Sequence, residues 1–137
     1  MGLFATSQHF ENVIVGFFNL IAASPDVATK LLNSKLIIRF NYRDPEVAVL
    51  VDCSQESIRV ISGDKETIAD VEMTMNAEVA HKFWFGKVNL TMALARRQII
   101  AKGPVPQILK LLPAIRPTYA MYPAYLDAKG YKEYNIH

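Results

Sequence analysis

Leu36-Ile37-Ile38-Arg39-Phe40-Asn41-Tyr42-Arg43-Asp44-Pro45-Glu46-Val47-Ala48-Val49-Leu50-Val51-Asp52 is the stretch on which the fold turns. Leu36, Ile38, Phe40 and Tyr42 alternate with Ile37, Arg39 and Asn41, which is the period of a half-buried strand. Arg43 to Glu46 is turn chemistry around Pro45. Val47 to Asp52 is apolar on both faces, as a central strand is. Behind the turn Ser54-Gln55-Glu56, residues 57–62 read as a third strand. In a fourth, Ala69, Val71, Met73 and Met75 alternate with Asp70, Glu72 and Thr74. Short turns join the first three strands and make them antiparallel neighbours.

On either side the period becomes helical. Phe10, Val13, Ile14, Phe17, Leu20 and Ile21 predict an amphipathic helix over 8–23. Ser24-Pro25 supplies an N-cap and a first-turn proline for a short helix to about Asn33. Asn76 caps a helix through Phe85, with Val79, Ala80, Phe83 and Trp84 on its apolar side and Gly86 at its stop. Asn89 caps a short helix over 90–95, and residues 98–102 read as a fifth strand ended by Gly103. Pro104 opens a helix carrying Val105, Ile108, Leu109, Leu112 and Ile115, which Pro113 ends or kinks. Pro117 opens a last segment with Tyr119, Met121, Tyr122, Tyr125 and Leu126. The order predicts an α+β fold, a mainly antiparallel five-stranded sheet with helices over one face, in a single domain over 1–137.

The chain is 51% hydrophobic with a mean hydropathy of +0.13, which excludes an intrinsically disordered protein. That is richer than a small soluble domain needs and points to something greasy held inside. Cys53 is the single cysteine, which leaves no intrachain disulfide and no cysteine-based zinc site, and the expected setting is reducing and cytoplasmic. No apolar run reaches the about 18 residues of a membrane span. Val13 to Ala23 is interrupted by Gly16 and Asn19, and with no preceding Lys or Arg it does not read as a signal peptide. Met1-Gly2-Leu3-Phe4-Ala5-Thr6 fits the myristoylation pattern, a short pattern with meaning only in a eukaryote. Asn89-Leu90-Thr91 is a glycosylation sequon that reads as coincidence.

Charge is distributed unevenly. Residues 1–78 hold eleven acids against six Lys and Arg, whereas residues 79–126 hold no acid and seven cations: Lys82, Lys87, Arg96, Arg97, Lys102, Lys110 and Arg116. Such a block attracts an anionic bilayer, a phosphorylated ligand or nucleic acid, unless the fold joins the two halves as surface ion pairs.

The catalytic inventory is thin. There is no Gly-x-Ser-x-Gly, no Gly-rich phosphate loop and no His-Glu-x-x-His. Histidines at positions 9, 81 and 137 have no ligand spacing, so neither a metal nor a cofactor is expected. His81 beside Lys82 reads as solvated, Cys53 as a small buried hydrophobe, and Asp70 with Glu72 as solvated acids. Phe83, Trp84 and Phe85 near Lys82 and Lys87 superficially suit base stacking, but they read as core and no nucleic-acid partner is expected. What stands out is soft apolar bulk: Met73, Met75, Met92 and Met121 beside Phe83, Trp84 and a proline-punctuated tail. On composition alone these residues serve an ordinary core and a ligand cavity equally well.

Trp84-Phe85-Gly86-Lys87-Val88-Asn89, then Ala93, then Ile99 through Gly103 resembles the signature of the sterol-carrier-protein-2-like lipid-transfer domains. In that family a Gly-Lys-x-Asn turn follows a helix, a short helix with an Ala comes next, and the last strand ends at Gly. Ala69 to Met75 is similar to the strand leading into that helix. The chain departs from the family in having Arg97 where Gly usually precedes the last strand, and in its proline-rich tail. The resemblance implies a hydrophobic tunnel under the helices for a fatty acid, acyl-CoA, sterol or phospholipid, with no catalysis. The expected lining is Met73, Met75, Phe83, Trp84, Met92, Ile99, Ile108, Leu112 and Tyr122, between the sheet and the helices of 76–95 and 104–126. The stretch from Pro104 onward is expected to act as a lid, and the cations to give transient contact with anionic membranes. Two other classes stay open. One is a small enzyme of the ketosteroid-isomerase kind, for which Asp52 and Tyr42 are the candidate acid and donor. The other is an accessory subunit of a larger lipid-metabolising enzyme.

Overall fold

A computed structural model describes Phe4 and residues 6–136; Met1, Gly2, Leu3 and Ala5 of the myristoylation pattern lie outside the described residues. The elements are α1 (Ser7–Ala22), α2 (Pro25–Ser34), β1 (Ile37–Arg43), β2 (Val47–Asp52), β3 (Arg59–Ser62), β4 (Val71–Asn76), α3 (Ala77–Trp84), α4 (Leu90–Ala95), β5 (Ile99–Lys102), α5 (Val105–Lys110), α6 (Leu112–Ile115), α7 (Thr118–Ala128) and a 3-10 turn, Lys132–Tyr134. Asn89 caps α4 as its sequence suggests, accepting from the Met92 amide at 3.1 Å. Ser24 stands at the N-cap of α2 but turns its hydroxyl back to donate to the Leu20 carbonyl at 2.8 Å.

The sheet order is β3-β2-β1-β4-β5, antiparallel throughout except for the parallel β1–β4 pair. That pair arises because residues 63–70 carry the chain from the β3 edge across the sheet to the far side of β1. Arg39 anchors this crossover. Its guanidinium donates to the carbonyls of Asp64 (3.1 Å) and Thr67, and pairs with the carboxylates of Asp64 (3.7 Å) and Glu72 (3.5 Å). Hydrogen bonds from the Thr67 hydroxyl and amide, chief among several contacts, hold the Asp64 carboxyl below its ordinary range. Arg39 sits on the polar side of its strand, yet the crossover lying over it buries it. Asp70 and Glu72 also take structural partners: the Asp70 carboxylate accepts from the Ile37 amide at 2.8 Å, and Glu72 from the Asn41 amide group at 3.2 Å.

On the opposite, inner face, registry places Val51 beside Ile38, Phe40 beside Val49 and Met73, and Tyr42 beside Val47 and Met75. The buried face of α1 lies across these side chains, with Phe10 meeting Tyr42 edge-on at 4.9 Å and Phe18 meeting Phe40 at 5.3 Å. Burying this many aromatic and aliphatic groups is the main stabilising term of the domain. α7 packs on α1 at Gly16, where Tyr125 donates to the Val13 carbonyl at 2.9 Å. The break between α5 and α6 falls at Leu111, with Pro113 in the first turn of α6, whereas Pro123 does not end α7, which runs through it.

Arg97 has φ +60°, the left-handed conformation for which glycine carries no Cβ penalty. This is the position where the resembled family usually has Gly. Arg97→Gly is therefore expected to raise stability by about 0.5–1 kcal/mol, relief of left-handed strain outweighing the greater freedom of the unfolded glycine. Urea denaturation measures it, and an unchanged or lower midpoint would count against strain at this turn.

Candidate functional site

Between the inner face of the sheet and the helices lies an apolar cavity of about 100 Å³. Every side chain that lines it is uncharged. Met73, Met75 and Ile99 from the sheet, Phe83 and Trp84 from α3, Ile108 from α5 and Leu112 from α6 all contribute to its wall. The structure therefore brings together seven of the expected lining residues.

Two of the expected residues lie elsewhere. Met92 is 46% exposed, because Leu90 and Ala93 take the inward face of the short α4 and leave Met92 to solvent. Tyr122 is buried, but away from the cavity, among Phe17 (4.6 Å), Phe85 (5.0 Å) and His81 (5.3 Å). α7 packs on α1 and α3 instead of closing over the sheet. The covering segment is thus α5–α6, shorter than the stretch 104–126.

The wall also includes Phe18 and Ile21 of α1, Leu31 of α2, and Phe40 and Tyr42 of β1. The adjacent Phe17-Phe18 pair is the sequence signal for this. Residues one apart on a helix point about 100° apart, so α1 has two apolar directions. Phe17 faces Trp84, Tyr122 and Tyr125, and Phe18 faces the cavity, while Leu20 is 38% exposed.

The chemical groups near the cavity are quiet. Cys53 lines it, and burial, with the Asp52 charge adding to it, pushes the thiol up to about 11, so it is protonated and not a nucleophile at neutral pH. Asp52 alternates to the outer face, where its carboxylate accepts from the Ser54 amide (2.8 Å) and hydroxyl (2.5 Å). Tyr42 lies on the inner face, so the sheet separates the pair that an isomerase-like site would need. Among the described residues no three His, Cys, Asp or Glu side chains converge on one point.

His81 is not solvated. It is buried at 1% exposure, with Nδ1 at 2.7 Å from the Tyr122 hydroxyl and Nε2 at 2.6 Å from the Tyr134 carbonyl. A carbonyl only accepts, so Nε2 carries the proton and Nδ1 accepts from Tyr122. Burial lowers the pKa of the imidazole from its ordinary value. The unfolded chain takes up this proton near pH 6.5, the folded protein only at lower pH. Stability is then complete above about pH 6.5 and falls as pH drops toward the folded pKa. Thermal melts between pH 7.5 and 5 are expected to show this loss, and a His81→Gln variant should lose that slope. An unchanged slope in the variant would assign it to other groups.

All seven cations of residues 79–126 are exposed, and among the described residues none forms an ion pair. Among the described residues, then, no ion pair joins the acidic and basic parts of the chain, although β4 and β5 lie side by side. Nor is any single described helix long and apolar enough to cross a membrane.

No curated protein matches the chain by sequence. Solved structures do share its fold. The apo form of sterol carrier protein 2 from Yarrowia lipolytica is 16% identical, covering 90% of this chain and 91% of its own, with a TM-score of 0.57. The sterol carrier protein domain 2 of Helicoverpa armigera is 19% identical over 80% of this chain and 91% of its own, with a TM-score of 0.65. The UbiJ-SCP2 ubiquinone synthesis protein is 15% identical over 82% and 93%, with a TM-score of 0.60. The model of the SCP-2 sterol transfer family matches residues 17–115, from the middle of α1 to the last residue of α6, the span that contains the cavity wall. With that match over most of its length, the chain belongs to the SCP-2 sterol transfer family.

Proposed function

We propose that the protein holds a single-chain or polycyclic lipid (fatty acid, acyl-CoA, sterol or phospholipid acyl chain) in the cavity under α5–α6, and carries or presents it without chemistry. The observation that supports this most is the uncharged wall, since an apolar ligand gains by leaving water for it. Family membership supports it independently. In its present form the cavity is about 100 Å³, whereas sites for drug-sized ligands run to about 300–1,000 Å³. A lipid therefore enters by moving part of the wall. α5 has six residues and α6 four, each too short to stand alone, so this is the segment that moves. Lys110 ends α5 and Arg116 follows α6, so in this reading the lid meets an anionic bilayer during transfer. The setting is the cytoplasm, where Cys53 stays reduced. A second reading, an accessory subunit that presents its cavity to a larger enzyme, draws on the ubiquinone synthesis protein of the same fold.

Trp84 is the single tryptophan and lines the cavity, so its emission reports occupancy. Delipidated protein titrated with palmitate, palmitoyl-CoA and cholesterol is expected to show saturable binding to at least one. Amide exchange with that lipid present should slow most in residues 105–115, less in 118–128. Binding to anionic vesicles should weaken as salt rises. Absence of saturable binding to all three lipids would overturn the proposal.

A further inference from the structure

Tyr42 lines the cavity, is 2% exposed, and carries a hydroxyl with no hydrogen-bond partner among the described residues. Other buried tyrosines are provided for. The Tyr122 hydroxyl meets His81 Nδ1 at 2.7 Å, that of Tyr125 donates to the Val13 carbonyl at 2.9 Å, and that of Tyr134 lies 3.4 Å from His9 Nδ1. The fold thus finds partners for the tyrosines of its helical layer and leaves open the one that faces the cavity. A buried hydroxyl without a partner is costly, and phenylalanine would fill the same wall without that cost. The ring cannot turn out to solvent to recover the loss. It stands between Phe10, edge-on at 4.9 Å, and Phe40, stacked at 5.9 Å, on a strand paired on both sides.

We propose that Tyr42 is a polar anchor for the ligand, its hydroxyl donating a hydrogen bond to a neutral oxygen (a hydroxyl, ketone or ester carbonyl) on the end of an apolar molecule that enters the cavity first. This rests on the lipid-binding reading above and deepens it. The oxygen is neutral because no charged side chain lines the cavity, and a carboxylate or phosphate buried there would have no counter-charge. Tyr42 itself stays a neutral donor at working pH, because burial, with Tyr122 adding to it, raises its pKa well above the ordinary value. The Cys53 thiol and the Trp84 indole are the other polar groups on lining side chains; the first is a weak donor. The cavity consequently sorts amphiphiles by head group. Neutral heads go in toward Tyr42, and charged heads stay outside with the exposed cations while their tails go in.

The test compares wild type with Tyr42→Phe, using probe pairs that differ by one hydroxyl: cholesterol against cholestane, and 1-hexadecanol against hexadecane, each delivered from neutral vesicles. Palmitate serves as the charged control. For the skeleton that binds, wild type should favour the hydroxylated member by about tenfold, the range expected for one buried hydrogen bond. Tyr42→Phe should remove that preference, which is read as the ratio within each pair so that any general change in uptake cancels. The variant breaks no hydrogen bond and should melt no lower than wild type. A lower melting temperature would mean that the hydroxyl already has a partner, and would overturn the proposal. So would equal binding of both members of a pair by wild type, or an unchanged preference in the variant. Those results leave lipid binding standing, whereas no uptake of any probe, palmitate included, would overturn the lipid-binding reading along with the anchor.

Discussion

Gly103→Ala is expected to destabilise the protein by about 3 kcal/mol or more, the sum of backbone strain and steric overlap. Gly103 has φ +115°, a conformation that residues with a Cβ rarely adopt. A Cβ there would also overlap the Asp70 carbonyl oxygen and stand 3.2 Å from Val71 Cα. These are backbone atoms, with no rotamer to escape into. Nor can that backbone recede easily, because Asp70 is tied to β1 twice: its amide donates to the Ile37 carbonyl at 2.8 Å, and its carboxylate accepts from the Ile37 amide at 2.8 Å. Gly103 is where the chain leaves β5 for the helices that cover the cavity, so strain here should loosen both the β4–β5 pairing and the lid. Gly63→Ala is the control. Gly63 has φ +81° with nothing within 4 Å of an added Cβ, so it should cost only about 1–2 kcal/mol. Urea denaturation at constant m-value measures both. Equal losses would mean that the Asp70 backbone yields and only the dihedral matters.

The second large effect is expected where α1 meets α7, and it is a coupling. Gly16→Ala places a methyl group into the Tyr125 hydroxyl, with Tyr125 Cζ at 3.3 Å behind it. Overpacking of this kind costs about 1–3 kcal/mol, against a gain of about 1 kcal/mol for alanine over glycine inside a helix. Displacing Tyr125 also breaks its bond to the Val13 carbonyl. Tyr125→Phe alone should cost about 1 kcal/mol for that bond. With the hydroxyl gone, the alanine methyl takes its space. The double variant should then be more stable than the sum of the single changes by about 1–3 kcal/mol. Additive losses in a double-mutant cycle would show that the two positions do not share this space.

The contrast between Met92 and Tyr122 shows how far the site could be read from residues alone. Both are bulky residues on helices flanking the cavity, and nothing in their near sequence separates them from Met73 or Ile108. Met92 misses the cavity because Leu90 and Ala93 claim the inward side of a helix only six residues long. Tyr122 misses it because α7 finds a deeper groove on α1 and α3, opened by the missing side chain of Gly16. Gly16 reads in the sequence only as a break in an apolar run. The walls from α1 and β1 were legible in part, since Phe17-Phe18 and the Phe40, Tyr42 alternation mark two apolar directions and an inner face. Which of those directions meets a cavity is settled by elements that lie far along the chain.

The sequence by itself determined the elements, their types and their order. The alternation through Tyr42, the helical recurrence of Phe10 to Ile21 and the caps and stops at Asn89 and Gly103 follow from covalent geometry, which acts over a few residues. The family was legible for the same reason, because its signature is a local succession of helix, turn, helix and strand. Only the tertiary structure decided the fate of the polar side chains. Arg39 is buried because Thr67, 28 residues away, is laid over it by a crossover to a parallel neighbour. His81 is buried because Tyr134, 53 residues away, closes over it and supplies a carbonyl to Nε2, and that burial lowers its pKa. The Tyr42 hydroxyl is unpartnered among the described residues because the ring faces a cavity and not a polar group of another element. Local pattern tells which way a side chain points, whereas its partner and its solvent depend on where distant segments come to rest.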